Sequence, residues 1–224
     1  FNSKFGATMD QIEQLITHAI HLGLNIVGFS FHVGSCCKDP TTYYRALQQC
    51  KEATLIAKSY GIDISIIDIG GGFSVHNQFE EMAQQINLGI KDFFYDMDGV
   101  RFIAEPGRYF AETTHTLYVN VIGKKQTKNG FIYTINESVY HSFNNTVFDY
   151  YKPVFRLVDE KTDCAQYDST IFGQTCDSLD KIVENIELPE LACGDWLYVL
   201  NQGAYSIASA SAFNGFNLAE VKYV

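Results

Sequence analysis

The first half of the chain carries three helical patterns of apolar residues. A capping-box sequence at residues 8–11 precedes apolar positions that recur at helical spacing over residues 12–20. Asp39-Pro40 is a favourable N-cap and first-turn pair, and it predicts a second helix running to about residue 60. A third helix is predicted over residues 79–94. The first two helices therefore have start signals of their own.

Three apolar runs separate these helices. Residues 26–33, 64–69 and 100–104 each have the length and composition of a buried strand. Strands that alternate with helices through short connections are typical of a parallel sheet. The first half of the chain is therefore predicted to be α/β.

After about residue 112 the pattern changes to β. Residues 116–122 alternate, and the turn signal Asn129-Gly130 lets residues 131–135 pair back as a hairpin. Further strand candidates are residues 196–200, 205–208 and 221–224. We predict a mostly antiparallel β domain over residues 113–224, either a β-barrel or a β-sandwich.

The α/β part is too short to close a barrel. Residues 1–112 supply about three strand–helix units, whereas a closed (β/α)8 barrel takes about 250 residues. An open doubly wound sheet of three strands is the alternative, and it would be unusually small. We therefore expect residues 1–112 to be the later part of a TIM-like barrel and the chain to be a C-terminal fragment.

Composition and charge exclude several classes of protein. The chain has 224 residues, 46% of them hydrophobic, which is enough for a sizeable core and excludes a disordered chain. Acidic residues outnumber basic ones 26 to 16, so the net charge of −10 disfavours a nucleic-acid partner. No run of about 20 uncharged apolar residues occurs, which disfavours a membrane-spanning protein.

The six cysteines predict neither a disulfide framework nor a metal site. They include no C-x-x-C pair, and their spacing suits no zinc motif. Reduced thiols are usual in the cytosol, and residues 1–6 do not resemble a signal peptide. We therefore expect a cytoplasmic protein without a bound metal.

Chemically reactive residues follow each predicted parallel strand. His32 and Ser35 follow the first strand, Gly70-Gly71-Gly72 the second, and Glu105-Pro-Gly107-Arg108 the third. The carboxyl ends of parallel strands are where α/β folds place their sites. The backbone N–H groups of the glycines can approach an anion closely, and the guanidinium of Arg108 can donate two hydrogen bonds to a phosphate. Together they predict a phosphate-binding site, here called the cradle. Taken singly, the triple glycine could be only a turn and His32 only a structural histidine.

These segments belong to a longer ordered set of motifs that resembles a known family. The motifs are Lys4-Phe-Gly6, Phe31-His-Val-Gly-Ser35, Asp68-Ile-Gly-Gly-Gly72, Ala104-Glu-Pro-Gly-Arg108, Thr175-Cys-Asp177, Gly194-Asp-Trp196, Gly203-Ala-Tyr205 and Phe213-Asn-Gly-Phe216. In this order they resemble the eukaryotic-type ornithine decarboxylases, which belong to the fold-type III, alanine racemase-like pyridoxal-phosphate enzymes. The resemblance runs from end to end and matches the C-terminal part of such an enzyme.

The resemblance implies pyridoxal 5′-phosphate as cofactor and assigns residues to it. Glu105 matches the carboxylate that meets the pyridine nitrogen, and His32 matches the imidazole stacked on the ring. The phosphate-binding and cofactor-binding positions fall on Ser35, Gly70, Gly71, Gly72, Gly107, Arg108 and Tyr205. The lysine that bonds the cofactor in this family lies on the first barrel strand. Lys4 matches a different position, so that lysine is not found on this chain.

The resemblance also implies the reaction, the decarboxylation of a basic amino acid. Cys176 matches the residue that protonates the substrate's Cα, and Asp177, Asp149 and Tyr140 match substrate-binding positions. Two carboxylates around one ammonium suit a diamino acid and would repel the distal carboxylate of diaminopimelate. An aspartate at position 149, instead of a longer acid, favours ornithine over arginine. Without the resemblance, Cys176 would be only a small buried hydrophobe and Asp149 a solvated turn residue.

The resemblance also implies how the enzyme is assembled. The enzyme is expected to be a homodimer in polyamine biosynthesis, with each site shared between a barrel from one subunit and the Cys176 loop of the other. An inactive relative that binds an antizyme-type regulator is the alternative, as are arginine and lysine decarboxylases.

The chain departs from the family pattern at Cys36, at Glu137 and Ser138, and at Gln174 and Ser178 beside Cys176.

Overall fold

The computed structural model describes residues 4–35, 37–73, 78–149, 151–159 and 162–224. The chain divides into two compact units, Phe1–Phe110 and Ala111–Val224. The departure at Cys36 lies outside the described residues.

The first unit alternates helices with short parallel strands. Its elements are α1 (Met9–His21), β1 (Gly28–Ser30), α2 (Thr41–Ser59), β2 (Ile66–Asp68), α3 (Phe79–Phe94) and β3 (Arg101–Ile103), followed by the short helix α4 (Gly107–Ala111). The predicted helices are confirmed. Thr8 and Gln11 form the capping box of α1, and the Asp39 carboxylate accepts hydrogen bonds from the Thr41 amide and hydroxyl at the start of α2.

The three strands form a parallel sheet in the order β1-β2-β3. Gly28 lies opposite Ile66, and Ile66 lies opposite Arg101. Because β2 is central, Ile67 is fully buried, and it packs in a core with residues from α1, α2 and α3 such as Ile16, Leu47 and Met82. All three strands are shorter than the predicted apolar runs, and no residue of the two outer strands is fully buried.

The second unit is built on a mixed six-stranded sheet. Its strands are β4 (Leu117–Gln126), β5 (Gly130–Ile135), β6 (Arg156–Leu157), β7 (Gln166–Phe172), β8 (Lys181–Pro189) and β9 (Trp196–Val199), in the order β6-β9-β4-β5-β7-β8. The helix α5 (Asn145–Phe148) and four 3-10 turns (Glu112–Thr114, Ser142–Asn144, Ile207–Ser209 and Phe213–Gly215) complete it. The β4–β5 hairpin is confirmed; β5 and β7 are parallel, and the other pairs are antiparallel.

Two predicted strands of this unit are wrong. Residues 205–208 form a turn because Tyr205 has a left-handed φ of 54° and the Ser206 hydroxyl hydrogen-bonds to the Gln202 carbonyl. Residues 221–224 are exposed and belong to no strand. Conversely, β7 and β8 were not predicted from the sequence, because polar residues such as Asp168 and Glu184 interrupt their apolar alternation.

None of the described helices is both long and apolar enough to cross a membrane. Within the described ranges, no group of His, Cys, Asp and Glu side chains is arranged to hold a metal ion.

Candidate functional site

In the first unit the carboxyl ends of β1, β2 and β3 bring three sequence motifs together. Parallel pairing places Ser30 beside Asp68 and Asp68 beside Ile103. The segments that follow continue this alignment, since the Glu105 amide donates to the Gly70 carbonyl at 2.8 Å. His32, the triple glycine and Glu105 therefore share one edge of the sheet.

Close backbone packing explains why glycines occupy positions 70–72. A Cβ on Gly70 would lie 2.1 Å from the Phe31 carbonyl oxygen, and one on Gly72 would lie 2.6 Å from that of Gly34. Both residues also have positive φ angles, 63° and 100°. A Cβ on Gly71 would lie 3.0 Å from both His32 Nε2 and the Glu105 carbonyl oxygen. The glycine backbone thus touches the other two motifs directly.

The loops of this edge are held by specific hydrogen bonds. The Gly34 amide donates to His32 Nδ1 at 2.9 Å, so the proton of a neutral His32 is on Nε2. The Asp68 carboxylate accepts from the Gly70 amide at 2.9 Å. The buried Tyr43 hydroxyl donates to the Gly71 carbonyl at 3.0 Å, and burial raises the pKa of Tyr43. Asp68 at the end of β2 and Tyr43 of α2 therefore hold the triple glycine in place.

The remaining predicted residues of the first unit lie around this cradle. Ser35 is exposed after β1, and Glu105 is exposed after β3. Gly107 begins α4 and donates to the Glu105 carbonyl at 2.8 Å, and Arg108 follows it, partly buried.

In the second unit Cys176, Asp177 and Tyr140 lie in one cluster. The Asn214 side-chain amide donates to Cys176 Sγ at 3.0 Å, and the Tyr140 hydroxyl donates to the Asp177 carboxylate. Tyr140 also packs on Phe213, with ring centroids 4.2 Å apart. The predicted proton donor and one predicted substrate carboxylate are thereby tied to the segment around Asn214.

The charge on Asp177 is stabilised by its surroundings. The Leu179 amide donates to the carboxylate at 3.0 Å, and this bond, followed by that from Tyr140, lowers the pKa of Asp177. The same contact with Asp177 raises the pKa of Tyr140. Asp177 is only partly buried, so an anion there can receive a cationic group.

A buried carboxylate, Asp180, joins the two loops of this cluster. One oxygen accepts from the Ser138 hydroxyl and the Val139 amide at 3.1 and 2.9 Å. The other accepts from the Thr175 amide and hydroxyl at 3.0 and 2.7 Å. Asp180 is fully buried, and a Cβ on Gly173 would lie 2.2 Å from its carboxylate. The Tyr140 loop and the Cys176 loop are therefore fixed to each other.

A second buried carboxylate, Glu137, lies next to this junction. It accepts from the Ser138 and Ser142 amides at 3.0 and 3.1 Å, and its backbone carbonyl accepts from the Gln174 amide at 3.0 Å. Burial is the largest influence on its pKa, which is raised despite these hydrogen bonds. His141 Nδ1 lies 3.8 Å from the carboxylate.

Asp149 and Tyr205 are positioned by other parts of the second unit. Asp149 is partly buried at the end of α5, where its amide donates to the Asn145 carbonyl at 3.0 Å. Tyr205 is exposed in a turn between the buried residues Ala204 and Ser206.

Sequence reasoning missed three residues that organise loops of the second unit: Asn214, Asp180, and Asn144, whose side chain joins residues 142–144 to residues 206–209. Asn214 lies within a quoted motif but had no role assigned to it. Asp180 and Asn144 had none either, because an aspartate or asparagine near a turn is usually solvated, and only the fold reveals that these two are buried.

Comparison with known proteins assigns the family. Residues 1–112 match the pyridoxal-binding domain of the pyridoxal-dependent decarboxylases. The chain belongs to this family. It is 40% identical to ornithine decarboxylase of Cricetulus griseus, over 99% of this chain and 52% of that protein. It is 39% identical to antizyme inhibitor 2 of Xenopus laevis, over 98% of this chain and 52% of that protein.

Among solved structures, the arginine decarboxylase of Paramecium bursaria Chlorella virus superposes with a TM-score of 0.95 at 41% identity, over 100% of this chain and 61% of that chain. The predicted fold class, a partial barrel followed by a β domain, is confirmed, as is pyridoxal phosphate as the cofactor of the family. The chain spans about half the length of the curated relatives it matches. The predicted boundary at residues 112 and 113 and the predicted site residues stay predictions.

Proposed function

We propose that the protein to which this chain belongs decarboxylates L-ornithine to putrescine with pyridoxal phosphate, as a step of polyamine biosynthesis. The Cα–carboxylate bond breaks, its electron pair stays on Cα, carbon dioxide leaves, and a proton takes the vacated position. The observation that carries the substrate class is the Asp177 carboxylate, partly exposed and held in its charged form beside Cys176. A basic amino acid presents the matching cation.

The cradle of the first unit suits the cofactor. The backbone of Gly71 lies close to the His32 imidazole, where a Cβ would be 3.0 Å from Nε2, and glycine amides together with Arg108 are groups that bind a phosphate. We propose that Glu105 holds the proton of the ring nitrogen and that His32 contacts the ring face. Ser35, Gly70–Gly72, Gly107, Arg108 and Tyr205 are proposed to bind the phosphate and its surroundings. Pyridoxal phosphate supplies the electron sink for the bond that breaks.

Cys176 is proposed to deliver the proton to Cα. Its thiol is exposed and has a fixed hydrogen-bond partner in Asn214, which orients the sulfur. A proton donor must be held within reach of the atom that it protonates. Asp177, Asp149 and Tyr140 are proposed to receive the distal ammonium group, which leaves the carboxylate end of the substrate at the cofactor.

The test is a substrate comparison with the full-length protein. We expect kcat/KM for ornithine to exceed that for lysine and arginine by about tenfold or more, measured by carbon dioxide release and amine analysis. Asp177→Asn should lower kcat/KM for ornithine by about 100-fold, because the distal ammonium group of the substrate loses a charged partner. Asp168→Asn, which changes an exposed aspartate on β7, is the control. A preference for arginine would overturn the choice of ornithine.

A catalytically inactive regulator is the second candidate, favoured by the likeness to antizyme inhibitor 2. The full-length protein would then bind an antizyme-type partner and release no carbon dioxide from any basic amino acid. Cofactor absorbance in the visible range together with carbon dioxide release would exclude this candidate.

We further propose a cytoplasmic homodimer whose subunits share each site. The cysteines that the structure describes are free thiols, as is usual in the cytosol. Glu105 belongs to the first unit and Cys176 to the second, and a two-fold dimer has room for two equivalent shared sites.

Subunit mixing tests this arrangement. Full-length Glu105→Ala and Cys176→Ala proteins should each be strongly impaired. A mixture of the two should regain activity, because one site of the mixed dimer carries both substitutions and the other site carries neither. If subunit exchange is demonstrated and no putrescine forms, each chain builds its own site.

A further inference from the structure

Asn144 is a buried residue whose side chain is fully engaged with a different segment. It lies at the end of the 3-10 turn Ser142–Asn144 and is only 2% exposed. Its amide nitrogen donates to the Ser206 carbonyl at 2.6 Å and to the His141 carbonyl, and its amide oxygen accepts from the Ser209 hydroxyl at 2.7 Å. Asn144 therefore joins the 142–144 turn to residues 206–209.

The segment that Asn144 holds contains Tyr205 in an uncommon backbone conformation. Tyr205 has a φ of 54°, which a bulky residue keeps only where its surroundings enforce it. On the N-terminal side the Gln202 amide donates to the His115 carbonyl and the Gly203 amide to the Glu112 carbonyl, both at 3.0 Å. On the C-terminal side the hydrogen bonds to Asn144 provide the fixed points. Tyr205 lies between these two anchors, with its side chain 55% exposed.

We propose that Asn144 is a positioning residue that sets the direction of the Tyr205 hydroxyl toward the cofactor phosphate. This inference rests on the proposed function, in which Tyr205 binds that phosphate. Without Asn144, residues 206–209 lose two hydrogen bonds, those of the Ser206 carbonyl and the Ser209 hydroxyl, and the left-handed turn at Tyr205 loses these fixed points on its C-terminal side. The hydroxyl then samples many directions, and the phosphate loses a directed donor.

The test measures affinity for two cofactor forms in the full-length apoprotein. Equilibrium dissociation constants are determined for pyridoxal phosphate and for pyridoxal, which lacks the phosphate. Asn144→Leu keeps the side-chain size and removes the hydrogen bonds. We expect about tenfold weaker binding of pyridoxal phosphate, as for one lost hydrogen bond to a charged group, and pyridoxal binding within about twofold of wild type. Tyr205→Phe should have the same effect, and the double variant no more than either single one.

Two further variants keep the result interpretable. Asn120→Leu is the matched control, because the Asn120 amide also donates to two carbonyls, those of Gly194 and Asp195, away from the 202–209 segment. It should change neither constant. Ser209→Ala removes a single hydrogen bond from an exposed hydroxyl residue, so it should fold even if Asn144→Leu does not. It should weaken pyridoxal phosphate binding by about two- to threefold, again without affecting pyridoxal.

Each outcome separates the inference from the function on which it rests. If wild type does not prefer pyridoxal phosphate to pyridoxal, the proposed cofactor function fails. If Tyr205→Phe loses the preference but Asn144→Leu and Ser209→Ala keep it, the inference alone is overturned. Equal weakening of both ligands, or effects that add in the double variant, would show that Asn144 stabilises the fold without acting through Tyr205. A preference that Tyr205→Phe leaves intact overturns the role of Tyr205 and the inference with it.

Discussion

Replacing Asp180 with asparagine should release the Cys176 loop. The two carboxylate oxygens of Asp180 accept four hydrogen bonds, two from residues 138–139 and two from Thr175. An asparagine offers one oxygen and one NH2 group. In either orientation, two donors lose their acceptor and face an NH2 group instead. Because Asp180 is fully buried, water does not replace the lost acceptor.

The magnitude follows from those two lost bonds. A hydrogen bond to a charged acceptor contributes about 1.5 to 3 kcal/mol, so the substitution should cost about 3 to 6 kcal/mol locally. A loss of about 3 kcal/mol corresponds to an opening equilibrium about 100-fold more favourable. The amides of Val139 and Thr175 are the direct reporters, since both donate to the carboxylate.

Hydrogen–deuterium exchange of the full-length protein measures this opening. The Val139 and Thr175 amides should exchange at least about 100-fold faster in Asp180→Asn than in wild type. Amides of the β1–β2–β3 sheet should exchange at unchanged rates, and Asp168→Asn on the surface of β7 should leave all of these rates unaltered. Exchange at Val139 and Thr175 within about threefold of wild type would refute the reasoning, and Asp180 would then be one buried residue among many.

Three other changes test the second unit. Cys176→Ala should lower kcat by about 100-fold or more with little change in KM, because the thiol delivers its proton only after the Cα–carboxylate bond has broken. The yield of carbonyl products from protonation at the wrong carbon should rise. An unchanged kcat together with unchanged product ratios would show that Cys176 is only a packing residue. Tyr140→Phe should raise the pKa of Asp177 part of the way to its ordinary value of 3.8, since the Leu179 amide remains, and carbon-13 NMR titration of the carboxyl measures it. Glu137→Gln tests a raised carboxyl pKa: the folded state keeps the proton of Glu137 at a pH where the unfolded chain has released it. The stability of the wild type should therefore fall as pH rises from about 4.5 through the folded-state pKa of Glu137. Thermal unfolding of Glu137→Gln should lack this part of the pH dependence. The control Glu187→Gln, at an exposed position, should keep it.

Features encoded by neighbouring residues could be predicted from the sequence. The capping box of α1 depends on Thr8 and Gln11, three residues apart, and the β4–β5 hairpin depends on a turn beside Gly130. The meeting of His32, the triple glycine and Glu105 could also be predicted, because parallel strands order their carboxyl ends along one edge. In each case a local signal or a general rule of topology is sufficient.

Features that depend on distant partners could not be predicted. The strands β7 and β8 form because they find each other and β5, although their polar residues hide the alternation. Residues 205–208 have the apolar composition of a strand, yet Asn144, more than sixty residues away, holds Ser206 in a turn. Whether Asp149 or Asp180 is buried is likewise decided by the partners that the fold brings to them.

The departures from the family pattern acquire a physical meaning when the contacts of the second unit are considered together. In the sequence, Glu137 and Gln174 are isolated differences, separated along the chain by helix α5 and strands β6 and β7. In the structure the Gln174 amide donates to the Glu137 carbonyl at 3.0 Å, and Gln174 Nε2 lies 3.5 Å from His141 Nδ1. The buried Glu137 and His141 and the partly buried Gln174 therefore form one connected group, and Gln174 lies two residues before Cys176. A change at any one of them alters the environment of the other two, so substitutions in this group should be tested in combination as well as singly.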